Sequence, residues 1–109
     1  MTEFSDALID EVRRRIFTRI TENPESVARQ RRNLLKLMRA VDDQRALNRP
    51  DSVIRATLLN ACLDDMCRRG VIKGNPRYEI EFNRASLAID ACLDLVTRND
   101  QADDSGNSN

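Results

Sequence analysis

A chain of 109 residues with 40% hydrophobic and 33% charged side chains is one domain's worth, apolar enough to bury a core and too short for a second. It contains no His, which excludes Ser–His and Cys–His nucleophile pairs within the chain, and it lacks the commonest general base and metal ligand. Eighteen basic residues balance eighteen acidic ones at a pI near 6.3, below the pI above about 9 usual for a dedicated nucleic-acid-binding domain.

Three glycines, at 70, 74 and 106, cannot build a phosphate-cradling loop. With no Trp, one Tyr and three Phe, the core must be mostly aliphatic. No apolar run approaches the roughly 18 residues of a membrane span. The opening residues lack the basic start and apolar run of a signal peptide, so a cytoplasmic location is expected.

The first helix is expected over 3–21, where Phe4, Leu8, Val12, Ile16 and Ile20 recur every four residues with Ile9 beside them. Asp6, Asp10, Arg13 and Arg14 form its polar side. Asn23-Pro24-Glu25 is a start signal: a capping side chain, a proline suited to the first helical position, and an acid in the first turn. The second helix follows from 24 to at least 41, with 47 as its furthest end, and Val27, Leu34, Leu37, Met38 and Val41 inward. Asp42-Asp43 weakens or bends it, because Asp is a poor interior helix residue.

Asn48-Arg49-Pro50 is a break, since proline disfavours helical geometry in the residue before it. Asp51 or Ser52 then caps a third helix over 53–69. This segment is apolar around most of its circumference, with Thr57, Asn60, Asp64 and Arg68 its narrow polar strip, so the middle of a bundle is its expected place. Gly70 supplies a left-handed C-cap, with Val71 folding back on the last turn.

Lys73-Gly74-Asn75-Pro76 has the composition of a turn, and Arg77 to Phe82 alternates polar and apolar. A half-buried strand is expected there, paired with Val71-Ile72 as a short hairpin. Asn83 caps a last helix over 84–98, and residues 99–109, with one Ala as their only apolar side chain, form a disordered acidic and polar tail. The expected fold is therefore mainly α: a four-helix bundle-like single domain over 1–98, with a short β-hairpin between the third and fourth helices.

Cys62, Cys67 and Cys92 sit in apolar helical contexts and are expected to be small buried hydrophobes in a reducing compartment. They lack the paired spacing of a zinc site, and no metal or cofactor is expected. Asp42-Asp43, Asp64-Asp65 and Asp103-Asp104 are adjacent pairs, and neighbours on a helix do not face one another, so solvated charge is their reading.

Charge is unevenly spread. Residues 22–49 carry seven basic groups against four acidic, and residues 76–109 carry three against seven. Arg29, Arg32, Lys36 and Arg39, at spacings of three, four and three, make a basic stripe on the second helix and are the candidate partner-binding residues. No aromatic residue interrupts the stripe, which argues against readout of single strands or RNA.

The stretch from Leu59 to Ile72, followed by a turn and Tyr78-Glu79-Ile80-Glu81-Phe82, resembles part of a winged helix: a helix, a Gly-apolar exit, then a two-stranded wing. That resemblance implies a DNA-binding transcriptional regulator of degenerate winged-helix type, with Lys73 and Arg77 touching phosphates. The chain departs from the pattern at Asn48 to Ser52, where a short helix would precede the recognition helix, and at Asp64 and Asp65, which phosphates repel.

The residue chemistry itself points to a non-enzymatic protein-interaction module: an adaptor, assembly factor, inhibitor or regulatory subunit. Generous apolar cover on the third helix leads to the expectation of a homodimer, or of a protomer that completes its core on a protein partner.

Overall fold

The computed structural model describes residues 4–17 and 23–107, with the backbone alone for 97–107. Four helices follow one another: α1 (Asp6–Ile16), α2 (Pro24–Ala46), α3 (Asp51–Arg68) and α4 (Pro76–Asn107). No strand occurs among the described residues. The helical class and the helix count agree with the sequence reading; the hairpin does not.

The start of α2 is as expected: Asn23 Oδ1 accepts hydrogen bonds from the backbone N–H of Glu25 at 3.0 Å and of Ser26 at 3.4 Å, ahead of Pro24. α1 is shorter than its pattern predicted. Ser5 caps it, its side chain accepting from Leu8 N–H at 3.1 Å, and Phe17 turns extended at φ −107° and ψ 98°. Ile20, the last member of the expected stripe, lies outside the described residues. Asp42-Asp43 does not end α2, which continues to Ala46.

The break then arises at Asn48, in the left-handed region at φ 59°, a conformation Asn tolerates better than most residues. Pro50, extended at φ −69° and ψ 155°, leads into α3 without a side-chain cap. At the other end of α3, Gly70 adopts φ 79°, and Val71 N–H donates back to Met66 C=O at 2.8 Å. Val71 is thereby buried, as the sequence implied.

The corrected segment is 77–82. Asn75 and Pro76 repeat the chemistry of Asn23 and Pro24: Asn75 Oδ1 accepts from Arg77 N–H at 2.9 Å, and Pro76 is the first residue of α4. Tyr78 and Phe82, read as one face of a strand, are also four apart on a helix, where their rings stack with centroids 6.0 Å apart. Arg77 and Glu81 form an ion pair at the same spacing.

Ile80, which the strand would have buried beside Tyr78 and Phe82, is 58% exposed. Replacing Ile80 with Glu is accordingly expected to change the unfolding free energy by less than about 0.5 kcal/mol in a urea titration, as for an ordinary surface site. Asn83 is interior to α4 and caps nothing, and the helical backbone passes residue 98 to Asn107. The tail expected over 99–109 falls wholly on residues whose side chains are outside the described set.

The order of burial also differs from expectation. α4, and not α3, supplies most of the core: α4 and α2 each pack on all three other helices, whereas α3 packs on α4 and α2 alone. Ile89, Ala91, Cys92, Leu93, Leu95 and Val96 of α4 are buried nearly all round, against Ile9 and Val12 of α1, Leu34, Met38 and Val41 of α2, and Ile54 of α3. On α3 only Ile54 and Met66 are buried, and Val53 is 44% exposed. Its apolar residues encircle the helix, so packing on α4 and α2 covers only part of them.

Ion pairs tie the helices together. Arg31 of α2 reaches Asp6 at 2.8 Å and Asp10 at 3.5 Å on α1, where the buried Arg13 also lies 3.5 Å from Asp10. Arg45 joins three helices, pairing with Asp51 at 3.2 Å and donating to Leu93 C=O at 2.7 Å. The acids of α4 pair with α1 and α3: Arg15 with Asp94 at 2.6 Å and Arg55 with Asp90 at 2.7 Å.

Candidate functional site

A groove of about 930 Å³ opens where the first half of α2, the last half of α3 and the first half of α4 meet, with Ile16 of α1 and the Phe17 that follows it at one side. α2 and α3 are held together at the opposite end, where Arg45 bonds Asp51, so their far halves leave this space above α4. Its floor is apolar: Leu34 and Leu37 from α2, Ala61, Cys62 and Met66 from α3, Ala85 and Ala88 from α4.

Its charged lining is unbalanced, with Arg29, Lys36, Arg69, Arg77 and Arg84 against Asp65 and Glu81. Both acids are already engaged. Arg69 donates to Asp65 at 3.0 Å and to Glu81 at 2.8 Å, and Arg77 lies 3.5 Å from Glu81. The hydrogen bond from Arg69 is the main cause that holds the Glu81 carboxyl below its ordinary range, with Arg77 and Arg84 adding to it. Arg84 lies over the Phe17 ring, 5.4 Å from its centroid. Arg29 and Lys36 are exposed and have no ion-pair partner among the described residues.

The predicted stripe is thus divided. Seven residues are close to two turns of helix, so Arg29 and Lys36 share one row and Arg32 and Arg39 the next. The first row lines the groove; Arg32 and Arg39 are exposed outside it. Arg77 and Arg84, also seven apart, form a comparable row on α4. Sequence reasoning missed them, because a strand over 77–82 followed by a separate helix puts them on different elements. The spacing was the available signal.

The cysteines differ more than their contexts suggested. Cys92 is buried, and desolvation pushes its thiol up to about 12. Cys62 is half-buried on the groove floor and is raised by burial and then by Asp65. Cys67 is exposed, contrary to expectation, because the core lies on the other side of α3. Iodoacetamide in mildly alkaline buffer is expected to label Cys67 fastest, Cys62 slowly, and Cys92 only on unfolding, since the thiolate reacts and must be reached. Peptide mass mapping over time reads this order.

Among the described residues no group of three or more Cys, Asp and Glu side chains is placed to hold a metal ion, and no helix is long and apolar enough to cross a membrane. No family model matches the chain, and neither the curated proteins nor the solved structures contain a match to it.

Proposed function

We propose that this chain is a non-enzymatic protein-interaction module of the cytoplasm, an adaptor, assembly factor, inhibitor or regulatory subunit, and that the groove between α2, α3 and α4 is its docking site. The observation that supports this most is the groove's make-up: an apolar floor bordered by rows of guanidinium and ammonium groups. An interface combines a desolvating apolar centre, which supplies affinity, with a charged rim, which supplies orientation and encounter rate. Arg29 and Lys36 serve as rim residues, while Arg32 and Arg39 border them on the outer side of α2.

The winged-helix reading is not carried forward. Its wing required strands at 71–72 and 77–82, and the second of these is the first turns of α4. Its would-be recognition helix presents Asp64 and Asp65 as exposed acids.

Ala61 is exposed and lines the groove, so Ala61→Trp fills it from α3 without entering the core. The test compares affinity capture by wild type, by Ala61→Trp and by Glu79→Arg, a surface control outside the groove, with matched circular dichroism spectra. Proteins retained by wild type and the control but lost from Ala61→Trp are expected. Equal recovery by all three would show that the groove is not the docking site.

A further inference from the structure

Resting on that reading of the groove, we infer that its occupant is an acidic amphipathic helix of a protein partner, about three turns long, with apolar residues toward the floor and Asp or Glu along both edges.

Charge selects the sign of the partner. Among the described residues five basic side chains line the groove against two acids, and those two are satisfied internally by Arg69 and Arg77. Arg29 and Lys36 on the α2 edge face solvent without partners among the described residues. A basic or neutral segment would leave these charges half-desolvated and unmatched; an acidic one matches them.

Spacing selects the length. The members of each row, Arg29 with Lys36 and Arg77 with Arg84, are seven residues apart, about 10 Å along their helices. Acids at i and i+7 on each side of an apolar i, i+3/i+4, i+7 face meet that pattern.

The scaffold selects the conformation. An extended peptide gains affinity by adding to a sheet edge, and the described residues offer none. A helix satisfies its own backbone and needs only an apolar face. Nucleic acid fits less well: the floor is Leu, Met, Cys and Ala, and Phe17, the one aromatic ring at the groove among the described residues, already has Arg84 over it.

The test uses the full chain and two stapled helical peptides with identical Leu faces, one carrying Glu at the edges and the other Lys, titrated by fluorescence anisotropy. The Glu peptide is expected to bind. Its Kd should rise on the order of tenfold in R29E/K36E and again when salt is raised to about 0.5 M, where screening is strong. Ala61→Trp should abolish its binding, and the Lys peptide should not bind.

Equal binding of both peptides, lost together in Ala61→Trp, overturns the acidic occupant and leaves the groove as a docking site. Binding of the Glu peptide that Ala61→Trp does not alter overturns the placement. Absence of Glu-peptide binding, while Ala61→Trp still loses captured proteins, overturns the inference alone.

Two further results reassign the occupant and overturn a separate partner. One is a dimer by sedimentation that Ala61→Trp dissociates, which would make it a second copy. The other is a gain in peptide affinity when Asp100, Asp103 and Asp104 are all changed to Asn, which would make it this chain's own acidic end.

Discussion

Truncating Ile89 to alanine is expected to lower the free energy of unfolding by about 2–5 kcal/mol, read from the urea midpoint at constant slope. Ile89 is fully buried on α4, in the same core as Met38, Val41 and Ile54, which are fully buried too. The loss combines the transfer free energy of the deleted carbons with the cavity they leave. A domain of this size has about 5–15 kcal/mol in total, so the variant should be marginal or unfolded at elevated temperature. A change below about 1 kcal/mol would mean that α4 is not the helix around which the others pack.

Asn83→Pro carries the second large expectation. Asn83 is exposed, so its replacement removes no buried side chain. Its backbone lies seven residues into α4, where proline removes an i to i−4 hydrogen bond and clashes with the preceding turn. A cost of about 3 kcal/mol or more is expected, with a loss of helical circular dichroism. Were the chain a strand over 77–82 followed by a helix capped at Asn83, proline there would cost only the lost cap, about 1 kcal/mol, because the first positions of a helix donate no intrahelical bond. A cost of that small size, with helical circular dichroism retained, would restore the hairpin.

These two substitutions bear on the one element the sequence misled. Its helices were legible wherever an apolar period, a cap and a breaker agreed: Asn23-Pro24 before α2, Asn48 to Pro50 after it, Gly70 and Val71 closing α3. The segment 77–82 obeys two periods at once, since residues four apart also alternate. Tyr78 and Phe82 satisfy both, and Ile80 alone separates them, by being exposed. The decisive signal is local: Asn75-Pro76 has the capping chemistry of Asn23-Pro24, and the turn-like composition of Lys73-Gly74-Asn75-Pro76 masks it.

The site was half legible for the same reason. Arg29 and Lys36 are visible as a row on α2 from spacing alone, but their counterparts Arg77 and Arg84 form a row only once 77–84 is one helix. Which of the two α2 rows faces the groove depends on how α2 rolls against α4. That roll is set by Leu34, Met38 and Val41 entering the core with Ile89 and Cys92. Pattern in one segment cannot supply it. The cysteines teach a similar lesson: equal apolar neighbours in sequence lead to a buried thiol at Cys92 on α4, in the core, and to a half-buried and an exposed thiol at Cys62 and Cys67 on α3, which is covered on one side only.

The proposed docking site lies between α2, α3 and α4. Two thiols on α3 make that directly measurable, since Cys62 lines the groove and Cys67 is exposed and is not part of its lining. The measurement is the alkylation rate of each cysteine by peptide mass mapping, with and without saturating acidic helical peptide. The peptide is expected to slow labelling of Cys62 and to leave Cys67 unchanged. Unchanged rates at both, or protection of Cys67 alone under demonstrated binding, would contradict this placement and move the docking site elsewhere on the molecule.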